Sequence, residues 1–291
     1  MSEPPSRPPL LVTCTPTQLG VFLECPRRYR LTYLDRPRLP LAPPTALQTI
    51  GRAVHRALAD WWHLPVASRT PEVAAGLLDD RWSTDGFRDA DQARRWLDRF
   101  REYVRGYVAA LDPLAEPLGV ERTVAAVAGT VALSGRIDRL DDRGEELVVV
   151  DYKTGLSPPS DDDARTSMAL ALYAFMAERM FRRPCRRVEL HHLPSGAVVR
   201  WCHTEEARER FVTRAQQIVD DLRTATELAA SQDPGVRDAA FPARPGPLCG
   251  WCPVRRHCPA AVGAERDPWE GLDDEDRPDA WDGRDDATAL A

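Results

Sequence analysis

Lysine is nearly absent from this 291-residue chain. Of 39 basic residues, Lys153 alone is a lysine and the others are arginines. No G-x-x-x-x-G-K-[S/T] stretch occurs, which excludes a Walker-type phosphate loop and the ATP-driven motors built on it. Long apolar runs are missing too. The longest, such as "ALALYAFMA" and "ELVVV", are too short to span a bilayer, so no membrane partner is expected. The opening "MSEPPSRPPL" has no basic region followed by an apolar one, and this predicts a cytoplasmic, reducing setting. There, seven cysteines point to metal binding or simple burial rather than to disulfides.

A net positive charge is also lacking, at −6 overall, which on its face speaks against nucleic acid. The distribution changes that. Residues 265–291 carry eleven acids and three arginines, a net −8, so residues 1–264 are +2. The acidic stretch has few apolar side chains and reads as a disordered tail. The body carries arginine clusters at Arg27, Arg28, Arg30 and at Arg182, Arg183, Arg186, Arg187. On charge alone these are either a nucleic-acid footprint or a solvated surface.

Periodicity supplies the organisation. Thr15 and Pro16 start a helix that runs to Cys25, and residues 37–44 form a proline-rich linker. Residues 46–62, "PEVAAGLLDDRW" and "QARRWLDRFREYVRGYVAAL" have helical apolar spacing. The period then changes. "VERTVAAVAG", "VALSGRIDRLDD" and "EELVVVDYK" read as three consecutive strands. "ARTSMALALYAFMAERMF" reads as one helix, "RRVELHHLP" and "AVVRWCHT" as a hairpin around Ser195-Gly196, and 205–230 as a long helix. No internal repeat is present. The expected fold is a mixed α+β or α/β core, with domain limits at 1–14 (flexible), 15–264 (globular) and 265–291 (tail).

The chemistry concentrates in "GRIDRLDD" (135–142) and "VVVDYKTG" (148–155). Residues i and i+2 of a strand share a face. Asp151 and Lys153 therefore lie together, with Tyr152 opposite, and Arg136 and Asp138 share a face of the preceding strand. If the two strands pair, Asp138 meets Asp151, and two adjacent carboxylates call for a cation between them. Hard oxygen donors suit Mg²⁺ or Mn²⁺. Two surface acids on a sheet edge are the plainer alternative. The retained lysine favours chemistry. Arginine is bulky, planar and permanently charged, whereas lysine is a compact point charge able to orient or deprotonate a water.

These stretches closely resemble motifs II and III of the PD-(D/E)XK nucleases, in their RecB-like branch. "GRAVHRAL" is similar to that branch's Gly-x-x-x-His helix, with Gly51 and His55 in the corresponding places. "ALALYAFMAE" resembles its Gln-x-x-x-Tyr helix, with Tyr173 as the tyrosine and Ala169 where glutamine is usual. The resemblance implies a restriction-endonuclease-like core, a central mixed sheet flanked by helices. It implies Mg²⁺ or Mn²⁺ held by His55, Asp138, Asp151 and the Tyr152 carbonyl, with Lys153 positioning the attacking water. Tyr173 then packs beside the site or contacts DNA. Glu121, on the preceding element, reaches the metal only through water.

The cysteines add a second signal. "CGWCPVRRHC" spaces Cys249, Cys252 and Cys258 as C-x2-C-x5-C, one thiol short of a four-thiolate site. In "FLECPRRYR", Cys25 stands where iron–sulfur members of the RecB-like branch carry a distant first ligand, as in AddB-type helicase-nucleases and CRISPR adaptation nucleases. The resemblance thus implies a [4Fe–4S] cluster, with Zn²⁺ as the alternative, tying the two ends of the domain together. Cys14, Cys185 and Cys202 have no partner spacing and are expected to be buried. Trp61, Trp62 and Trp251 are candidates for base stacking or for core and lid positions.

The functional expectation is a metal-dependent DNA nuclease. It would be an exonuclease acting on single strands or ends in repair, recombination or defence, with a helicase or repair partner. The rival readings are a catalytically weak DNA-binding subunit, prompted by Ala169, and a zinc-stabilised scaffold without catalysis.

Overall fold

Thr15 does begin the first helix: its hydroxyl accepts from the Gln18 amide while the Gln18 side chain returns to the Thr15 N–H. The computed structural model describes residues 11–231, 233–261, 263, 269 and 272. The expected flexible segment 1–14 contains a strand at its end. β1 (Val12–Cys14) pairs in parallel with Val131–Leu133 and is too short to show a period. Then come α1 (Pro16–Glu24), α2 (Pro26–Tyr29), α3 (Ala46–Trp62), α4 (Pro71–Arg81) and α5 (Ala90–Ala109). The three expected strands follow as β2 (Gly119–Ala128), β3 (Val131–Asp142) and β4 (Leu147–Lys153).

The helix expected over 164–181 is broken in two, α6 (Asp161–Thr166) and α7 (Met168–Phe181). Ser167 divides them because its hydroxyl accepts from the Leu170 amide and so caps α7. β5 (Arg187–His192) and β6 (Val198–Cys202) form the hairpin, and α8 (Glu205–Ala229) and α9 (Pro234–Ala240) close the order.

The sheet is mixed. β1 and β3 are parallel, as are β4 and β5, while β2–β3, β3–β4 and β5–β6 are antiparallel. β2 fills one edge of β3 from Val131 to Leu140. The opposite edge is shared: β1 takes Val131–Leu133 and β4 takes Arg139–Asp142. Between them β3 has no strand neighbour, and the β3–β4 ladder stops one pair short of Asp138 and Asp151.

Helices cover both faces, and β4 shows why its sequence is so apolar. Leu147 and Val149 bury into the cluster around α1, α7 and α8. Val148, Val150 and Tyr152 bury into the cluster around α3, α4 and α5. A strand buried on both sides reads as a continuous apolar run. Each fully buried valine contributes about 1.5–3 kcal/mol. The run ends at Asp151, where the strand leaves the core and enters the site.

Trp61 and Trp62 lie in the α3–α5 cluster, at 0% and 5% exposure, and are not available for stacking on bases. Cys14 and Cys185 are buried as expected, but Cys202 is exposed, because it ends the edge strand β6. Of the expected tail, only Trp269 and Leu272 are described. Leu272 is buried against the α3–α5 cluster and its carbonyl accepts from Trp96 Nε1 at 3.1 Å. Trp269 Nε1 donates to the Gly86 carbonyl at 3.1 Å. The rest of 265–291, and residues 1–10, lie outside the described residues.

Candidate active site

The gap between β3 and β4 is bridged by a side chain. Asp138 Oδ2 accepts the Tyr152 backbone N–H at 2.9 Å, so the carboxylate does what a ladder carbonyl would otherwise do. That bond fixes Asp138 and spreads the strand ends. α3 reaches over the opening. Its buried stripe, Ile50, Val54, Ala57, Leu58 and Trp61, faces the core and leaves His55 half-exposed at the border. His55 Nδ1 lies 3.2 Å from Asp138 Oδ1 and Nε2 lies 3.1 Å from the Tyr152 carbonyl oxygen. Gly51 faces the end of β4: a Cβ there would sit 3.2 Å from Thr154 Oγ1, a tight contact that a small shift of the threonine could relieve.

Glu121 completes the cluster. It stands across β2–β3 from Asp138, between the pairs Val120–Arg139 and Arg122–Ile137. Its φ of +47° is in the left-handed region, a strained conformation for a residue with a side chain. Donor atoms of His55, Glu121 and Asp138 all lie within 4.8 Å of one another, the one such set of three among the described residues. Glu121, expected to reach a metal only through water, thus stands among the donors themselves. The alternation of β2 does not reveal the reversed φ, and the register with Asp138 was the available signal.

Asp151 lies outside that set. Its Oδ2 makes an ion pair with Lys153 Nζ at 3.0 Å, yet this buried oxygen has no hydrogen bond of ordinary geometry. Burial pushes the Asp151 carboxyl up, Lys153 pulls it back and Asp138 adds to the rise. The Asp151 charge in turn pushes Lys153 above its ordinary value against its own burial, which keeps it an ammonium at neutral pH. For His55, burial disfavours the charged ring. The hydrogen bond to Asp138 and the charges of Asp138, Asp151 and Glu121 outweigh it and raise the pKa. Burial raises Glu121, with Arg136 acting against it.

Tyr173 stands beside this group. A Cβ on Gly135 would meet Tyr173 Cε1 at 2.5 Å, so the glycine of "GRIDR" makes room for the ring. Burial raises the Tyr173 pKa, and the charges of Asp151 and Asp138 add to this. Ala169 is half-buried in the first turn of α7.

Behind the sheet, Tyr152 is held from the other side. Its hydroxyl accepts from Trp62 Nε1 at 3.2 Å and from Arg139 Nη1 at 3.4 Å, and Arg139 is itself fixed by Asp141 at 2.8 and 3.0 Å. Because the Tyr152 amide and carbonyl both touch the site, this network sets the position of Asp138 and His55.

The donors are a neutral-capable imidazole and two carboxylates, with an under-bonded carboxylate oxygen next to them. That is a hard nitrogen–oxygen set suited to Mg²⁺ or Mn²⁺.

Cys25, Cys249, Cys252 and Cys258 line a second, small pocket with Arg28, Leu31 and Val254. Cys25 caps α2, and the other three lie on short turns between Pro247 and Pro259. Burial raises the Cys252 thiol pKa, and Cys25 and Cys258 contribute. No three of these sulfurs lie within 4.8 Å of one another.

The profile of the PD-(D/E)XK nuclease superfamily matches residues 13–259. The chain belongs to the PD-(D/E)XK nuclease superfamily. The mixed sheet flanked by helices agrees with the restriction-endonuclease-like fold of that superfamily, whose members use divalent metals in nucleic-acid cleavage. No curated protein matches. A solved structure described as "Crystal structure of SSO0001" is similar at 14% identity and a TM-score of 0.37, covering 88% of this chain and 90% of that one. No described helix of this PD-(D/E)XK protein is long and apolar enough to cross a membrane.

Proposed function

We propose that the protein is a divalent-metal-dependent deoxyribonuclease of the RecB-like branch, acting as an exonuclease on single strands or DNA ends in repair, recombination or defence. The observation that carries this reading is the set His55–Glu121–Asp138 beside the Asp151–Lys153 pair, in a chain that belongs to this superfamily. His55, Glu121 and Asp138, with Asp151 and the Tyr152 carbonyl alongside, would hold Mg²⁺ or Mn²⁺. When bound, the ion supplies Lewis-acid stabilisation of the phosphate and lowers the pKa of a water.

The chain's own residues do the rest. Asp138 and the Tyr152 carbonyl orient His55, and Tyr152 is held by Trp62 and Arg139. Lys153 is kept protonated by Asp151, so its role is to hold and orient a water rather than to abstract its proton. Tyr173 lines the substrate side. The test is digestion of end-labelled and circular DNA, single- and double-stranded, with Mg²⁺ or Mn²⁺. Cleavage abolished by Asp151→Ala supports the reading. An unchanged rate in that variant, or no cleavage of any substrate, rejects it in favour of a binding subunit or scaffold.

Cys25, Cys249, Cys252 and Cys258 line one pocket, and four thiolates suit a [4Fe–4S] cluster, with Zn²⁺ as the alternative. Anaerobically purified protein should be brown, and a colourless protein with stoichiometric zinc would overturn this part. A helicase or repair partner and a cytoplasmic location accompany the reading.

A further inference from the structure

Glu121 has two claims on it. It is one of the three donors of the metal set, and its Oε2 also lies 2.8 Å from Arg136 Nε. The two partners differ in freedom. Glu121 is 16% exposed and its backbone is locked at φ +47°, whereas the Arg136 side chain is 66% exposed. Arg136 sits two residues before Asp138, on the stretch of β3 that has no strand neighbour on the site edge. A divalent cation and a guanidinium cannot both take the same carboxylate at full strength, and the doubly charged ion has the larger attraction. The residue free to move is the arginine. With its side chain 66% exposed, a guanidinium released from Glu121 is open to an incoming anion.

We propose that Arg136 and the divalent cation compete for Glu121, and that the displaced Arg136 guanidinium binds a phosphate of the nucleic-acid strand. This rests on the nuclease reading for the identity of the anion, but the competition itself does not. It makes metal binding and strand binding mutually supportive. The cation frees an arginine whose planar fork fits a phosphate, so the protein grips DNA most firmly when it is loaded.

Two measurements test it without relying on turnover. In an Mn²⁺ titration without nucleic acid, Arg136→Gln should bind the ion roughly three- to tenfold more tightly, because a competing cation is gone. Anisotropy of a labelled single strand then reads the other half. In EDTA, Glu121→Gln should bind DNA several-fold more tightly than the parent protein, because Arg136 is released. That gain should vanish in Glu121→Gln/Arg136→Gln, whereas a bare charge effect would persist in the double variant. In Ca²⁺, Arg136→Gln should weaken binding and lower the salt slope by about one. Arg136→Lys should restore most of both effects.

Unchanged Mn²⁺ affinity in Arg136→Gln, or a gain that survives in the double variant, overturns the proposal. If Arg136→Gln shifts Mn²⁺ affinity while the parent protein cleaves no DNA, the competition stands and the nuclease reading falls.

Discussion

The two candidate metal positions are built in opposite ways. In the notch between β3 and β4, each donor is held by the protein itself. Asp138 is tied to the Tyr152 amide, His55 to Asp138 and the Tyr152 carbonyl, and Glu121 is set by its backbone at φ +47°. In the cysteine pocket, three thiols ride on short turns and one caps a four-residue helix. The two ends of the fold are joined there by Arg27 Nε to the Phe241 carbonyl at 2.9 Å, by the ion pairs of Arg27 and Arg30 with Asp238, by His257 to the Pro40 carbonyl and by Ala42 N to the Pro253 carbonyl at 2.8 Å. A preorganised site suits an ion that enters, serves chemistry and leaves. The proposed cluster would add a further tie to thiols carried on short turns.

The largest effect that would break this contrast is on stability. With the proposed cluster bound, Cys249→Ser should bleach the protein and lower its unfolding free energy by about 4 kcal/mol, the scale of opening a loop of more than a hundred residues. Chelation of Mg²⁺ or Mn²⁺ should leave the melting temperature nearly unchanged. Equal sensitivity to both treatments would erase the distinction.

A smaller effect concerns the end of the chain. Truncation after Leu272 should leave stability unaltered, whereas truncation after Gly263 should cost about 2 kcal/mol, the burial of one leucine. Urea unfolding of the two shortened proteins checks this, and identical midpoints would show that Leu272 contributes nothing.

The smallest effect is on pH. A raised His55 pKa means that the ring keeps its proton to a higher pH, and the protonated ring cannot bind metal. Mn²⁺ affinity should therefore fall as pH drops through that raised value, by about tenfold per unit below it. In His55→Gln this component of the dependence should disappear.

Much of the notch was legible in the chain. Alternation in "VVVDYK" placed Asp151 and Lys153 on one face and Tyr152 on the other, and Tyr152 is buried opposite them. The helix over 46–62 has the limits its periodicity implied, and His55 meets Asp138 at its border. Other features could not be read because they depend on contacts distant in sequence. Glu121 enters through a single reversed φ. The network of Tyr152, Arg139 and Trp62 joins three elements, and nothing local in "LADWW" separates a core tryptophan from one that stacks on a base. Ser167 looks like one more helical residue until its hydroxyl is seen capping α7. β1 is three residues long and gains its identity only from β3.

The lone lysine is the residue on which the proposed chemistry depends most directly. Lys153 is half-exposed, paired with Asp151 and held as an ammonium. Its replacement by arginine keeps the charge and changes the size and shape of the group. The decisive measurement is single-turnover cleavage of end-labelled DNA in saturating Mn²⁺ by the parent protein and Lys153→Arg, with DNA affinity measured in Ca²⁺. The parent protein should cut, the variant should be slower by at least about a hundredfold, close to Lys153→Ala, and affinity should hardly change. A Lys153→Arg protein that cuts within a few-fold of the parent rate would contradict the proposed chemistry.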